Sequence, residues 1–192
     1  IFIAAKDLGI DGIEIRGIEN EMYAPRVRIF DDKNREATLR QHSGAGIALT
    51  QLTSGATLGM PDSPQAGRQE ILDYVDMAQK LGVPYIRVMI SPQPGPEPVD
   101  LEQGRKLYLE LCRHAKTKGI CLLIETNGAL ADSRVMREFM DGSDPESAGV
   151  LWDIHHPYRF FNESPAQAFG NIGKYVKNTH VKDSVLQDGK LT

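Results

Sequence analysis

Short apolar segments alternate with longer amphipathic segments along almost the whole chain. Between the apolar segments, hydrophobic residues recur at helical spacing, as at Ile71, Val75 and Ala78. Six apolar segments have the length and the polar or glycine-containing flanks of strands: residues 10–17, 47–54, 85–91, 120–125, 149–154 and 176–181. A helix end, a glycine and an apolar strand recur together as LGIDGIEI, LGVPYIRV and KGICLLIE. The pattern predicts about six successive βα units.

The segments between the strands carry residues typical of helix ends. Ser63 and Ser164 each precede a proline and are predicted N-caps, with the proline in the first helical position. Asp100 is the predicted N-cap of another helix, and Gly119 ends that helix. Pro157 closely follows the fifth strand, and we expect it to stop regular structure there.

Successive βα units build either an open doubly wound sheet or a (β/α)8 TIM barrel. No G-x-G-x-x-G sequence follows the first strand, so a nucleotide-binding open sheet has no positive support. Polar residues at several strand ends favour the barrel, whose active sites lie at that face. The chain starts in what reads as the last turns of a helix and ends in a polar loop. We therefore predict one α/β domain over residues 1–192, a barrel truncated at both ends that lacks its first and last strands.

Three of the predicted strands end in potential metal ligands. CLLIETNG contains Glu125, LWDIHHPYR contains Asp153, and VKNTHVKDS contains His180. Because parallel strands carry their polar ends to the same edge of a sheet, we expect these side chains to lie close together. Two carboxylates and one imidazole suit one divalent metal ion, foremost Mn²⁺ or Mg²⁺, with Co²⁺ or Zn²⁺ also compatible.

Composition and charge narrow the class of protein. The 192 residues are 41% hydrophobic and carry a formal net charge of -4, which disfavours a general nucleic-acid binder. The sequence has no apolar run of about 18 residues and no basic region followed by an apolar leader, so no membrane association is predicted. Cys112 and Cys121 fall in a predicted helix and a predicted strand, as reduced cysteines of cytosolic proteins do. We expect a cytoplasmic protein.

Four sequence phrases together resemble the xylose isomerase-like barrel superfamily, in its branch of sugar phosphate isomerases and epimerases. The phrases are AKDLGIDGIEIR, IET, WDIHH and THVKD, and the likeness covers nearly all of the chain. The resemblance implies four metal ligands, of which Glu125, Asp153 and His180 match the first three, and a final Glu would follow Thr192. It implies that His156, three residues after the aspartate, contacts the substrate. It also implies a homo-oligomer, since members are often dimers or tetramers.

The resemblance further implies an isomerase or epimerase that acts on a sugar or polyol-type hydroxy-carbonyl compound. The metal would polarise the carbonyl group, and Glu125 would remove the neighbouring proton to form an enediolate. His156 is the second predicted catalytic residue, through its substrate contact. A dehydratase of a related cyclic polyol or hydroxy-keto acid and a non-catalytic metal- or sugar-binding barrel are the alternatives. An endonuclease of the same superfamily is disfavoured, because the chain has five histidines and a negative net charge.

Two further candidates for substrate binding lie close to the predicted ligands. His155 competes with His156 for the substrate contact, because strand alternation directs it to the same side as Asp153. Lys182 belongs to the His-x-Lys-Asp phrase and is either a substrate ligand or half of a surface ion pair. The sequence alone leaves both choices open.

The other candidates lie on earlier strands and in loops. Glu14 and Arg16 share one face of their strand and either bind the substrate or form a structural ion pair inside the barrel. Arg87 has the same two interpretations. Asn127 either orients the substrate or shapes a turn. The loop of residues 22–30 is either a lid over the site or an ordinary packed loop.

Overall fold

The computed structural model describes residues 1–60, 64–187 and 190–191. Within these residues the α-helices are α1 (Phe2–Asp7), α2 (Arg35–Ala45), α3 (Pro64–Leu81), α4 (Leu101–Lys116), α5 (Ser133–Met140), α6 (His155–Phe161) and α7 (Pro165–Ile172). The strands are β1 (Gly12–Ile15), β2 (Ala48–Thr57), β3 (Tyr85–Met89), β4 (Cys121–Glu125), β5 (Ala148–Asp153), β6 (Val176–His180), β7 (Leu186–Gln187) and β8 (Lys190–Leu191). All six predicted strands are therefore present.

Strands β1 to β6 form one parallel sheet in sequential order, and β7 pairs with β8 separately. A doubly wound sheet reverses its strand order at a switch point, so sequential order excludes that alternative. In a flat sheet, β1 and β6 would lie about 24 Å apart, five steps of about 4.8 Å. Instead, Nδ2 of Asn178 on β6 donates to Oε1 of Glu14 on β1 at 2.7 Å. The strands thus curl into an open, incomplete (β/α)8 barrel, which confirms the predicted fold class.

The alternation of side chains on β4 separates the helix layer from the barrel interior. Leu122 and Ile124 belong to the large apolar core beneath the helices. Leu123 points the other way and packs with Leu151 of β5 in a small interior cluster. Glu125 is two residues after Leu123 and therefore also faces the interior, at the carboxyl end of the strand.

Strand β5 repeats this arrangement one position along the sheet. Val150 and Trp152 point into the apolar core beneath the helices. Trp152 packs against Phe169 of α7, with ring centroids 5.6 Å apart. Asp153 alternates with Trp152 and so faces the interior, beside the end of β4.

The predicted helix starts are confirmed where the structure describes them. Oδ1 of Asp100 accepts a hydrogen bond from the backbone N of Gln103 at 2.9 Å, as an N-cap does. Ser164 forms a capping box with Gln167 at the start of α7. Ser63, the other predicted N-cap, lies outside the described residues. In the described part of the chain, the helices are too short or too polar to cross a membrane.

The expectation that Pro157 stops regular structure is wrong. Pro157 is the third residue of α6, which begins almost immediately after β5. A proline is tolerated in the first turn because the N–H groups there have no acceptor within the helix. The early start of α6 brings His156 close to Asp153, so this local feature contributes directly to the site.

The loop of residues 22–30 packs against α3. Its two short 3-10 helices bury Ala24, Val27 and Phe30. The hydroxyl group of Tyr23 donates to Asp73, and the hydroxyl group of Tyr74 accepts from the backbone N of Ala24 at 3.1 Å. The structure therefore shows an ordinary packed loop here.

Candidate active site

The three predicted metal ligands are the last residues of neighbouring parallel strands. Glu125 ends β4, Asp153 ends β5 and His180 ends β6. Asp153 pairs directly with His180 in the sheet register, and Glu125 pairs with Leu151, two residues before Asp153. A cavity at this edge of the sheet is lined by seven of the candidate residues: Glu14, Arg16, Arg87, Glu125, Asp153, His180 and Lys182.

A compact group of possible ligand atoms lies at the wall of this cavity. Glu125, Asp153 and His156 each place one such atom within 4.8 Å of the others, and all three side chains are buried. Nε2 of His156 lies 3.4 Å from Oδ2 of Asp153. The histidine in this group comes from α6, so His156 competes with His180 for the nitrogen ligand position. The assignment of Glu125, Asp153 and His180 as the metal set stays a prediction.

The ring of His156 is oriented by the backbone of the neighbouring strand end. Its Nδ1 lies 2.8 Å from the carbonyl oxygen of Thr126, which can only accept, so Nδ1 carries the proton. Nε2 then presents its lone pair toward Asp153. A backbone carbonyl that fixes the ring in this way is a common arrangement behind metal-bound histidines. Burial lowers the pKa of His156, against the opposing charge of Asp153, and favours the neutral ring that a metal requires.

Lys182 places a cation beside this donor group. Its Nζ lies 2.8 Å from Oδ2 of Asp153 and donates to Nε2 of His156 at 2.6 Å. An ammonium ion held by a carboxylate and an imidazole shows that the donor set is electrostatically suited to a positive charge. Two buried carboxylates with one or two imidazole nitrogens also match the ligand preferences of Mn²⁺, Mg²⁺, Co²⁺ or Zn²⁺.

His180 lies between two carboxylates. Its Nε2 is 3.0 Å from Oε2 of Glu14, and its Nδ1 is 3.6 Å from Oε1 of Glu125. Hydrogen bonding to Glu125 and Glu14 raises the pKa of His180 to about 9. The ring is therefore an imidazolium at neutral pH in the metal-free protein, and it joins the β6 wall of the cavity to the β1 wall.

Arg87, on β3, holds the other oxygen of Glu125. Its Nη1 donates to Oε2 of Glu125 at 3.0 Å, and its Nη2 donates to the carbonyl oxygen of Ser54 at 2.8 Å. Burial raises the pKa of Glu125, but the hydrogen bond with His180 and the charge of Arg87 lower it by more. The net pKa of Glu125 therefore lies below the ordinary value. Glu125 is thus ionised and held in one orientation.

The side chains of His155 and Asn127 contact residues that do not line the cavity. Nε2 of His155 lies 2.7 Å from Oγ of Ser184, in an adjoining depression on the outside of the β6 end. Nδ2 of Asn127 donates to the carbonyl oxygen of Ser91 at 3.0 Å, which ties two loops together. The observed contacts are those of loop positioning, and a substrate role for either residue stays a prediction.

Several polar residues of the site carry weak sequence signals. Gln51 and Asn178 both donate to Glu14, at 3.0 and 2.7 Å. Thr126 accepts from the backbone N of Asp153 at 2.9 Å and donates to its carbonyl oxygen at 3.1 Å. Arg87 has the signal of a charged residue within the otherwise apolar strand YIRVM, but this signal does not reveal which partner it contacts.

Comparison with known proteins agrees with the fold. The family described as xylose isomerase-like TIM barrel matches residues 2–191. A fructoselysine 3-epimerase from Escherichia coli is 26% identical over 196 residues, which cover 95% of this chain and 70% of that protein. Its name describes a sugar epimerase.

Two solved structures share the fold at low sequence identity. A D-psicose 3-epimerase from Clostridium cellulolyticum, in complex with D-tagatose, has a TM-score of 0.75 and 20% identity, over 93% of this chain and 65% of that one. A xylose isomerase-like TIM barrel protein from Mycobacterium smegmatis, in complex with magnesium, has a TM-score of 0.74 and 15% identity, over 95% and 65%. Since the family match spans nearly all of the described strands and helices, this chain belongs to the xylose isomerase-like TIM barrel family.

Proposed function

We propose that this protein is a divalent-metal-dependent epimerase or isomerase of a sugar or a related polyol-type hydroxy-carbonyl compound. The observation that carries the proposal is the group formed by Glu125, Asp153 and His156, with His180 beside it, at the carboxyl ends of the strands. Active sites of barrels of this kind lie at that end. The relatives named as sugar 3-epimerases support the substrate class and the reaction type.

Glu125, Asp153 and His180 would hold the metal ion, with His156 as an alternative nitrogen donor. A bound divalent ion would polarise the carbonyl group of the substrate and acidify the hydrogen on the neighbouring carbon. Its binding requires the ammonium group of Lys182 to leave Asp153 and His156, since the same atoms would serve as ligands. Lys182 would then be available to donate a hydrogen bond to a substrate oxygen.

Glu125 is the proposed base. Its carboxylate is ionised, and Arg87 fixes one oxygen while the other lies on the side of His180. Transfer of the proton from the substrate carbon to Glu125 leaves an enediolate. Return of the proton to the adjacent carbon, together with transfer of the hydroxyl proton from one enediolate oxygen to the other, completes an isomerisation. An epimerisation also needs an acid on the opposite face.

The proposal is tested by metal binding and by solvent hydrogen exchange. Protein treated with EDTA should show a higher unfolding temperature after addition of Mn²⁺, because a ligand that binds only the folded state stabilises it. Ketohexoses and ketohexose phosphates incubated with the metal-loaded protein in D₂O should gain deuterium next to the carbonyl carbon. Mass spectrometry of the recovered sugars measures that exchange.

Glu125→Gln should reduce the exchange rate by about 10²–10⁴-fold, since it removes the base while keeping the shape of the side chain. The matched control is Glu36→Gln, at an exposed carboxylate on α2, which should leave exchange and metal binding unchanged. Metal binding without exchange into any ketohexose or ketohexose phosphate would contradict the proposed reaction. A product lacking the elements of water would instead identify a dehydratase.

A further inference from the structure

We propose that the substrate carries an anionic group, a carboxylate or a phosphate, and that Arg16 binds it at the β1 wall of the cavity. The inference rests on the proposed function, because it concerns the other end of the same substrate. Arg16 follows β1 directly and lines the cavity together with Glu125 and Asp153. It alternates with Ile15, which is buried in the core, and so faces the same side as Glu14.

The carboxylate oxygens near the cavity already have other partners. In Glu14, Oε1 accepts from Asn178 and Oε2 accepts from Gln51 and faces His180. Both oxygens of this carboxylate, two residues before Arg16, are engaged by other side chains, and within the described residues neither of them pairs with Arg16. The structural ion pair that the sequence offered as an alternative for Glu14 and Arg16 is therefore absent from the described residues.

The two other carboxylates are also engaged. Oε2 of Glu125 accepts from Arg87 at 3.0 Å. Oδ2 of Asp153 lies 2.8 Å from Nζ of Lys182, and Oδ1 of Asp153 accepts from the backbone N of His155 at 3.1 Å. Across residues 1–60, 64–187 and 190–191, Arg16 has no hydrogen-bond or ion-pair partner. It is an exposed residue that lines the cavity.

Metal binding would increase the positive charge of this cavity. The carboxylates of Glu14, Glu125 and Asp153 are balanced by the side-chain charges of Arg16, Arg87 and Lys182. Among the described carboxylates, guanidinium groups and ammonium group that line the cavity, a divalent ion would therefore leave an excess of two positive charges. An anionic ligand is favoured under these conditions, and the fork of N–H donors on a guanidinium group suits a carboxylate or a phosphate.

The test measures binding of polyols that cannot react. Isothermal titration calorimetry on the Mn²⁺-loaded protein compares glucitol with gluconate and with glucitol 6-phosphate. At least one of the two anions should bind about tenfold more tightly than glucitol, and the one that does distinguishes a carboxylate site from a phosphate site. Arg16→Gln should weaken binding of that anion by about 10- to 100-fold and change glucitol binding by less than about twofold.

Two further variants make the result specific. Arg16→Lys keeps the charge and should retain a preference for the anion over glucitol. Arg40→Gln removes an exposed arginine of α2, where the side chain pairs only with Glu36 in the described chain, and should leave all three affinities unchanged. Equal affinity for glucitol and both anions, or an anion preference that survives Arg16→Gln, would overturn the proposal. Absence of deuterium exchange with ketoses, while Arg16 still determines anion binding, would refute the proposed reaction and leave the anion site standing.

Discussion

The ion pair between Arg87 and Glu125 should couple the stability of the fold to the geometry of the site. The two side chains are 10% and 4% exposed, and Nη1 lies 3.0 Å from Oε2. For charges about 4 Å apart at an effective dielectric constant of about 20, the attraction is about 4 kcal/mol, and desolvation of both groups offsets much of it. Removal of one partner leaves a buried charge whose desolvation is no longer compensated.

Arg87→Met should therefore lower the free energy of unfolding of the EDTA-treated protein by about 3–5 kcal/mol. The lower end of that range is expected, because His180 remains 3.6 Å from Oε1 of Glu125 and retains part of the compensation. Guanidinium chloride unfolding, followed by circular dichroism, measures the change for Arg87→Met, Glu125→Gln and the double variant. The effect of the double variant should be smaller than the sum of the single effects by about 1.5–3 kcal/mol.

The control is Arg134→Met, which breaks an ion pair with Asp132 at 2.9 Å in which the arginine is 71% exposed. That substitution should lower the free energy of unfolding by no more than about 1 kcal/mol, as is usual for ion pairs at the surface. If the Arg87 and Glu125 substitutions add to within about 0.5 kcal/mol, the reasoning is refuted, since independent sites behave in that way. Equal effects of Arg87→Met and Arg134→Met would also refute it.

Three further predictions concern pH, the support of the strands and the second layer of the site. In metal-free protein, the pKa of His180 is raised from its ordinary 6.5 to about 9 by its two carboxylate partners. The resulting stabilisation is complete below about pH 6.5 and is lost as the pH rises through 9. Urea unfolding should show a loss of about 1–2 kcal/mol between pH 7 and pH 10, after allowance for screening of this partly exposed ring, and His180→Asn should remove that dependence. Tyr108→Phe should lower the free energy of unfolding by about 1–3 kcal/mol in thermal unfolding, because the buried hydroxyl group donates to the carbonyl oxygen of Leu122 at 2.8 Å. An unchanged free energy would show that this hydrogen bond contributes nothing. Thr126→Val should weaken Mn²⁺ binding by about 10- to 100-fold in calorimetry, since it removes both hydrogen bonds to the backbone of Asp153, and unchanged affinity would contradict that positioning role.

The sequence was sufficient to predict the order of the elements and the end of the barrel at which the site lies. Apolar runs such as 120–125 and 149–154 are buried on both faces, so their strand character depends on local composition. The period of two along each strand then places Glu125 and Asp153 on the interior side without reference to any distant residue. Pro157 was interpreted wrongly because its effect depends on whether it falls in the first turn or the interior of a helix.

The pairing of charges was decided by the tertiary structure alone. Glu14 meets Asn178 and His180 only because the sheet curls. Glu14 and His180 are separated by 166 residues in sequence, and nothing in the sequence signals their contact. Likewise, the start of α6 brings His156 beside Glu125 and Asp153, and Arg87 of β3 reaches Glu125 of the adjacent strand β4. These contacts depend on the curvature of the sheet and on side-chain rotamers, and both are determined by many residues together. The sequence therefore determined which strand ends carry the candidate ligands. The fold determined which charges neutralise each other, and it left Arg16 facing the cavity without a partner in the described chain.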